Sequence, residues 1–203
     1  MKSIFLPILA LIFSTCTTTV NQLPEQVVAS SSPPATDVGN CYVPDSRDLT
    51  CVYVPGVLML HLDRGGPDNL PINGTRIWDD VWVNGRVISL LAHNNLDGDY
   101  FYNLSLGMRI TLIWSTGEQE VYVVQEISKW TNTLSGGVWN DVFTSWDGQL
   151  KLTTKQIYAR YYQGAVNYER LVLQTCLENN SGVMMIVAHR VPSTPFPTIL
   201  LDD

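Results

Sequence analysis

From residue 52 onward the chain is rich in Val, Ile, Tyr, Trp and Thr, and turn-forming residues break it at roughly 8- to 12-residue intervals. β-Branched and aromatic side chains suit a pleated, half-buried surface, so this rhythm predicts many short strands closed into a barrel or stacked as a sandwich. Asn84-Gly85 lies between "VWV" and "RVIS", and both turn residues tolerate positive φ, which marks a hairpin. A second hairpin is expected from "MRITLIW" through Ser115-Thr116-Gly117-Glu118 into "QEVYVVQEIS". Residues 129–148, "KWTNTLSGGVWNDVFTSWDG", show neither period and are expected to form a long loop lying over another part of the molecule. "LTTKQIYARYY" predicts a short helix starting at Thr153 or Thr154, with the hydroxyl as cap. Two more strands follow, "RLVLQT" and "VMMIVAHRV", joined by a polar link, and no internal repeat is visible.

The N-terminal region decides the expected compartment. Lys2 precedes an apolar run over residues 4–13, too short for a membrane-crossing helix, which needs about 20 residues. Residues 1–15 therefore read as a secretory signal. Cys16 follows "FST" in the manner of a bacterial lipobox, so Cys16 is a candidate for lipidation, with simple cleavage nearby as the alternative. Residues 16–40 hold no aromatic side chain and are rich in Ser, Thr and Pro, as expected of a possible lipid anchor and flexible linker. Residues 41–203 are then one folded domain, extracytoplasmic and anchored at the cell surface. The chain carries 12 Lys plus Arg against 19 Asp plus Glu, a formal charge of -7. That balance supplies no basic cluster to release counterions from a phosphate backbone, and it argues against nucleic acid as a partner.

In an oxidising compartment Cys41 and Cys51, flanking a short polar loop, are expected to form a disulfide. If Cys16 is lipidated, Cys176 is left over, as either a reactive thiol or an inert buried one. Strand alternation puts Val172, Gln174 and Cys176 on one face, with Cys176 where the strand ends. In the next strand Arg190 shares a face with Met184, Ile186 and Ala188, and His189 lies on the other. Arg190 is expected beside Cys176 if the link folds back suitably. His93 ends another apolar strand, "VISLLAH". The following "NNLDGD" offers Asn94, Asn95, Asp97 and Asp99 but lacks the length and terminal Glu of an EF-hand loop, so it reads as a turn and no metal site is expected. His61 and His189 read as structural.

"LVLQTC" resembles the TLxTC signature of sortases, with Val172 at the position of the first Thr. A His ending an earlier strand, a downstream Arg and the segment "DGDYFYNLSLGMRITLIWSTGEQEVYVVQEI" occur in the family's order, and the resemblance spans roughly residues 52–191. It implies a mainly β fold: a closed sortase-type β-barrel with one or two short helices and long loops. The implied activity is that of a cysteine transpeptidase without a cofactor. Cys176 would be the nucleophile, His93 the general acid/base, Arg190 the oxyanion stabiliser and Thr175 a substrate-binding residue. The implied partners are exported proteins carrying an LPxTG-type C-terminal sorting signal and an amine acceptor of cell wall or pilin, with membrane association through the N-terminal anchor. Two alternatives stay open: a cysteine peptidase that hydrolyses rather than transfers, and an inactive lipid-anchored binding or adhesion barrel.

Overall fold

The computed structural model describes residue 41 and residues 48–63, 75–77, 87–133, 141–165, 169–178 and 181–192. The expected signal and linker segments, Cys16 and the Asn84-Gly85 turn lie outside the described residues. The strands are β1 (Leu49–Val54), β2 (Leu58–Asp63), β3 (Thr75–Ile77), β4 (Val87–Ala92), β5 (Arg109–Trp114), β6 (Gln119–Thr133), β7 (Val142–Ser145), β8 (Lys151–Thr153), β9 (Arg170–Cys176) and β10 (Gly182–Arg190). A 3-10 helix covers Asp97–Asn103 and an α-helix, α1, covers Thr154–Tyr162.

Neighbouring strands follow the order β10-β9-β4-β3-β2-β1-β5-β6, and β6 returns to pair with β10, so eight strands close into a ring. Closure removes the open edges that an unfinished sheet would offer to other chains. Most pairs are antiparallel, while β2–β3 and β4–β9 are parallel. The 15-residue β6 makes closure possible: one edge pairs with β10 from Tyr122 to Thr131, and the other serves β5 first and β7 later. The predicted β5–β6 hairpin is present, with Gly117 at φ 84° in its turn.

Residues 129–148 differ from the expected loop. Lys129 to Thr133 continue β6, Val142–Ser145 form β7, and β7 pairs with β8. The Trp residues obscured the strand period because Trp130 is buried under α1 whereas Trp146, at the β7–β8 turn, is 67% exposed. α1 begins as predicted: Thr153 accepts from the Gln156 amide, and the Gln156 side chain reciprocates to the Thr153 amide, forming a capping box. At the other end Arg170 donates to the carbonyls of Arg160, Tyr161 and Gln163, which have no partner within the helix.

Alternation sorts the strands into two apolar layers. Ile88, Leu90 and Ala92 of β4, Leu171 and Leu173 of β9, and Met184, Ile186 and Ala188 of β10 fill the barrel, and Phe101 and Leu104 close one end from the 3-10 helix region. Val87 and Leu91, Val172 and Cys176, and Val183, Met185 and Val187 face outward under Ile157, Tyr161 and Tyr162 of α1. Each large apolar side chain so buried contributes about 1.5–3 kcal/mol. Cys41 and Cys51 form the expected disulfide beside Ile113.

Gly182 opens β10 where the strand presses on β6, and a Cβ there would collide with the Trp130 carbonyl oxygen. Gly182→Ala is expected to lower stability by about 2 kcal/mol, as overpacking does, read as a drop in the urea midpoint with an unchanged slope.

Candidate active site

The parallel pairing of β4 with β9 runs from Val87↔Arg170 to Leu91↔Gln174. His93 directly follows β4, and Cys176 is the last residue of its parallel neighbour β9, each two residues past the last paired positions. Cys176 continues the outward-facing row of β9 through Val172 and Gln174. In the sequence both residues close an apolar run, and the fold alone decides that the two strands are adjacent and parallel.

The chain after β4 turns at once. The His93 carbonyl accepts from the Leu96 and Gly98 amides at 3.1 and 2.9 Å, and the 3-10 helix then packs on β4 and β9. Gly98 is wedged between the two strands: a Cβ there would lie 2.6 Å from the His93 carbonyl oxygen and would overlap the Thr175 hydroxyl. Two side chains from this connection reach the end of β9. Asn94 Nδ2 donates to the Leu177 carbonyl at 2.7 Å, and the Tyr102 hydroxyl donates to the Cys176 carbonyl at 2.6 Å. In the sequence Asn94 reads only as part of a turn and Tyr102 carries no recognisable signal, since their partners are backbone atoms.

Arg190 does not stand beside Cys176. Antiparallel pairing of β10 with β9 puts Val183 opposite Cys176 and His189 opposite Arg170. Arg190 is thus displaced along the strand by about 20 Å or more, at about 3.3 Å per residue. The link between the strands is short, so β10 starts pairing immediately and its last residue falls at the far end of the barrel. There the Arg190 guanidinium is 3.0 Å from Glu120 Oε1, a partly exposed pair contributing less than about 1 kcal/mol. Thr175 is also displaced from its expected role. It pairs with Met184, which fills the barrel interior, and its buried hydroxyl points toward Gly98 beneath the 3-10 helix, away from the outward face of Cys176.

Cys176 is disulfide-bonded and 5% exposed, and no cysteine among the described residues is free. With Cys41 and Cys51 joined to each other, its partner lies outside the described residues. A disulfide sulfur is not a nucleophile, so any chemistry at this position requires reduction first.

The electrostatics favour an uncharged imidazole. Burial pushes the His93 pKa below its usual value. Asp97 is raised by burial and by Asp63, against a lowering hydrogen bond from Thr75. Tyr102 is pushed up to about 12 by burial, then by Glu178 and Asp99, so its hydroxyl stays protonated and donates. Cys41, Cys51 and His61 also converge, with Cys51 Sγ 3.4 Å from His61 Nδ1. The two sulfurs are bonded to each other and do not form a metal-ligand set in this state.

No protein-family model matches the chain, and no curated protein does. Among solved structures, a sortase C1 of GBS Pilus Island 1 superposes with a TM-score of 0.50 at 16% identity, covering 72% of this chain and 66% of that one. The fold is sortase-like. A lid mutant of sortase A from Corynebacterium diphtheriae aligns at 0.49 and 16% identity, covering 75% of both chains. Sortase C-1 from Actinomyces oris aligns at 0.47 and 17%, covering 73% of this chain and 76% of that one. Within this sortase-like barrel Cys176 lies on the outward face, at the end of β9.

A lowered His pKa has a defined consequence for stability. Above the unfolded pKa near 6.5 both states are neutral and the contribution is complete. As pH falls below 6.5 the unfolded chain takes up the proton first, and stability is lost down to the folded pKa. The raised Asp97 acts with opposite sign and in a lower pH window, gaining stability as pH falls. His93→Gln is therefore expected to reduce the fall in melting temperature between about pH 7 and pH 5, measured by circular dichroism at matched ionic strength.

Proposed function

We propose that the reduced protein is a sortase-like cysteine transpeptidase. The observation that supports this reading is that Cys176 ends β9 and His93 directly follows β4, the parallel neighbour of β9. In the proposed cycle the His93 imidazole accepts the Cys176 thiol proton. The thiolate attacks a peptide carbonyl, and the tetrahedral intermediate collapses to a thioacyl-enzyme as His93 returns the proton to the leaving amine. An incoming amine, deprotonated by His93, then releases the peptide as a new amide. The proposed substrates are exported proteins with an LPxTG-type sorting signal, joined to an amine acceptor of wall or pilin. The proposed setting is outside the cytoplasm, with the chain held at the membrane through its N-terminal region.

Arg190 is excluded from this mechanism by its position, and Val183 stands opposite Cys176 in the neighbouring strand. A reaction without a guanidinium at the developing oxyanion is expected to be slow, since loss of one such donor costs about 10²–10³ in rate. Two observations favour a second reading, in which the barrel binds without catalysis: the bonded, 5% exposed sulfur and the apolar Val183 beside it.

One experiment separates them. The protein is treated with a mild reductant and incubated with a library of LPxTG-like peptides, with and without triglycine, and products are followed by mass spectrometry. The transpeptidase predicts an acyl adduct on Cys176 and an amine-linked product. Cys176→Ala is expected to abolish both, His93→Ala to slow adduct formation by about 10²-fold or more, and Arg190→Gln to leave it within about twofold. Adduct turnover without an amine-linked product would establish a hydrolase. Absence of adduct from folded, reduced protein across the library would establish the binding barrel.

A further inference from the structure

The end of β9 is held by more than its strand neighbours. Its flanking ladder closes with Leu177 N–H donating to the Gly182 carbonyl at 2.9 Å. At this end the Cys176 and Leu177 carbonyls are each taken by a side chain from the β4–β5 connection. Tyr102 takes the first at 2.6 Å and Asn94 the second at 2.7 Å. Asn94 directly follows His93, and Tyr102 stands on the 3-10 helix whose Gly98 touches both His93 and Thr175. One short segment therefore carries the imidazole and also grips two consecutive carbonyls at the thiol-bearing strand end.

Tyr102 has a third neighbour. The Lys129 ammonium lies 5.4 Å from the centre of its ring and has no carboxylate partner among the described residues. A cation over the face of a phenol holds the ring in place and draws electron density from it, which strengthens the hydroxyl as a donor.

We infer that Asn94 and Tyr102 are positioning residues that lock the Cys176 end of β9 to the segment bearing His93, with Lys129 bracing Tyr102. The inference rests on the Cys176–His93 reading given above. An imidazole and a sulfur form an effective pair only when held within about 0.5 Å of their working geometry. Two hydrogen bonds from the His93 segment to the carbonyls at and after Cys176 couple the two groups directly, whereas the β4–β9 ladder stops short of both. The strand end and the imidazole then move together or not at all.

The test compares wild type with Tyr102→Phe, which removes only the hydroxyl, Asn94→Ala and His93→Ala. The reduced full chain is used throughout, with folding checked by near-ultraviolet circular dichroism. The rate of Cys176 alkylation by iodoacetamide is measured against pH by peptide mass spectrometry, and amide exchange is measured at Leu177 and Leu171. The expected result is a rise in the alkylation midpoint by about one pH unit in Tyr102→Phe and in Asn94→Ala, toward the His93→Ala value. Leu177 should also exchange faster while Leu171 is unchanged. If either variant fails to fold, the other carries the comparison. Profiles that overlay wild type in folded Tyr102→Phe and Asn94→Ala, while His93→Ala shifts, would overturn the inference and leave the pair intact. A wild-type profile in His93→Ala would overturn the pair itself, and the inference with it.

Discussion

The parallel contact between β4 and β9 is the constraint on which the rest of the arrangement depends. Parallel neighbours cannot be joined by a tight turn, so the chain must leave the end of β4, cross the barrel mouth, build β5 to β8 and α1, and return at the start of β9. That detour places the 3-10 helix over the mouth and α1 over the outer face. It also makes two strand ends far apart in the chain neighbours in the sheet, although two strands of the ring, β5 and β6, are built between them. The ladder from Val87 to Leu91 fixes the register of the two strands, because a slip of one residue would turn every side chain of one strand to the opposite face.

Closure and burial reinforce this contact. β9 lies between β4 and β10, every residue from Leu171 to Cys176 is buried, and β10 is bound on its far side by β6. A strand paired on both edges and packed on both faces has little freedom to shift. The same rigidity explains the position of Arg190. A tight link commits β10 to pair from its first residues, so Val183 meets Cys176 and the guanidinium is carried to the opposite rim, where Glu120 takes it. At this end of the barrel burial lowers the His93 pKa, the Lys129 ammonium lies over the Tyr102 ring, and the carboxylates of Glu178 and Asp99 help hold Tyr102 protonated. The bonded state of Cys176 adds a redox condition to any chemistry performed there.

Much of the fold was legible in the residues themselves. Alternation in "RLVLQTC" and "VMMIVAHRV" assigned the faces of β9 and β10, the Gly117 turn marked the β5–β6 hairpin, and Thr153 with Gln156 marked the start of α1. These features are local: each depends on side-chain period, on backbone preference, or on a cap within one turn. The Cys41–Cys51 pairing was legible for the same reason, being closed over a short loop. The strands within residues 129–148 were hidden because buried Trp130 and exposed Trp146 have the same hydropathy in a sequence and opposite environments in the fold.

The sequence by itself determined the strand-rich architecture, the faces on which the side chains stand, and the two chemical groups that end β4 and β9. Tertiary structure alone decided that these ends are neighbours, that Arg190 and Thr175 lie away from the outward face of Cys176, that Tyr102 and Asn94 grip the Cys176 and Leu177 carbonyls, and that the sulfur is bonded. The division has a physical cause. Period and capping act over a few residues, whereas register between strands far apart in the chain is set by closure of the whole ring, which no short stretch of sequence encodes.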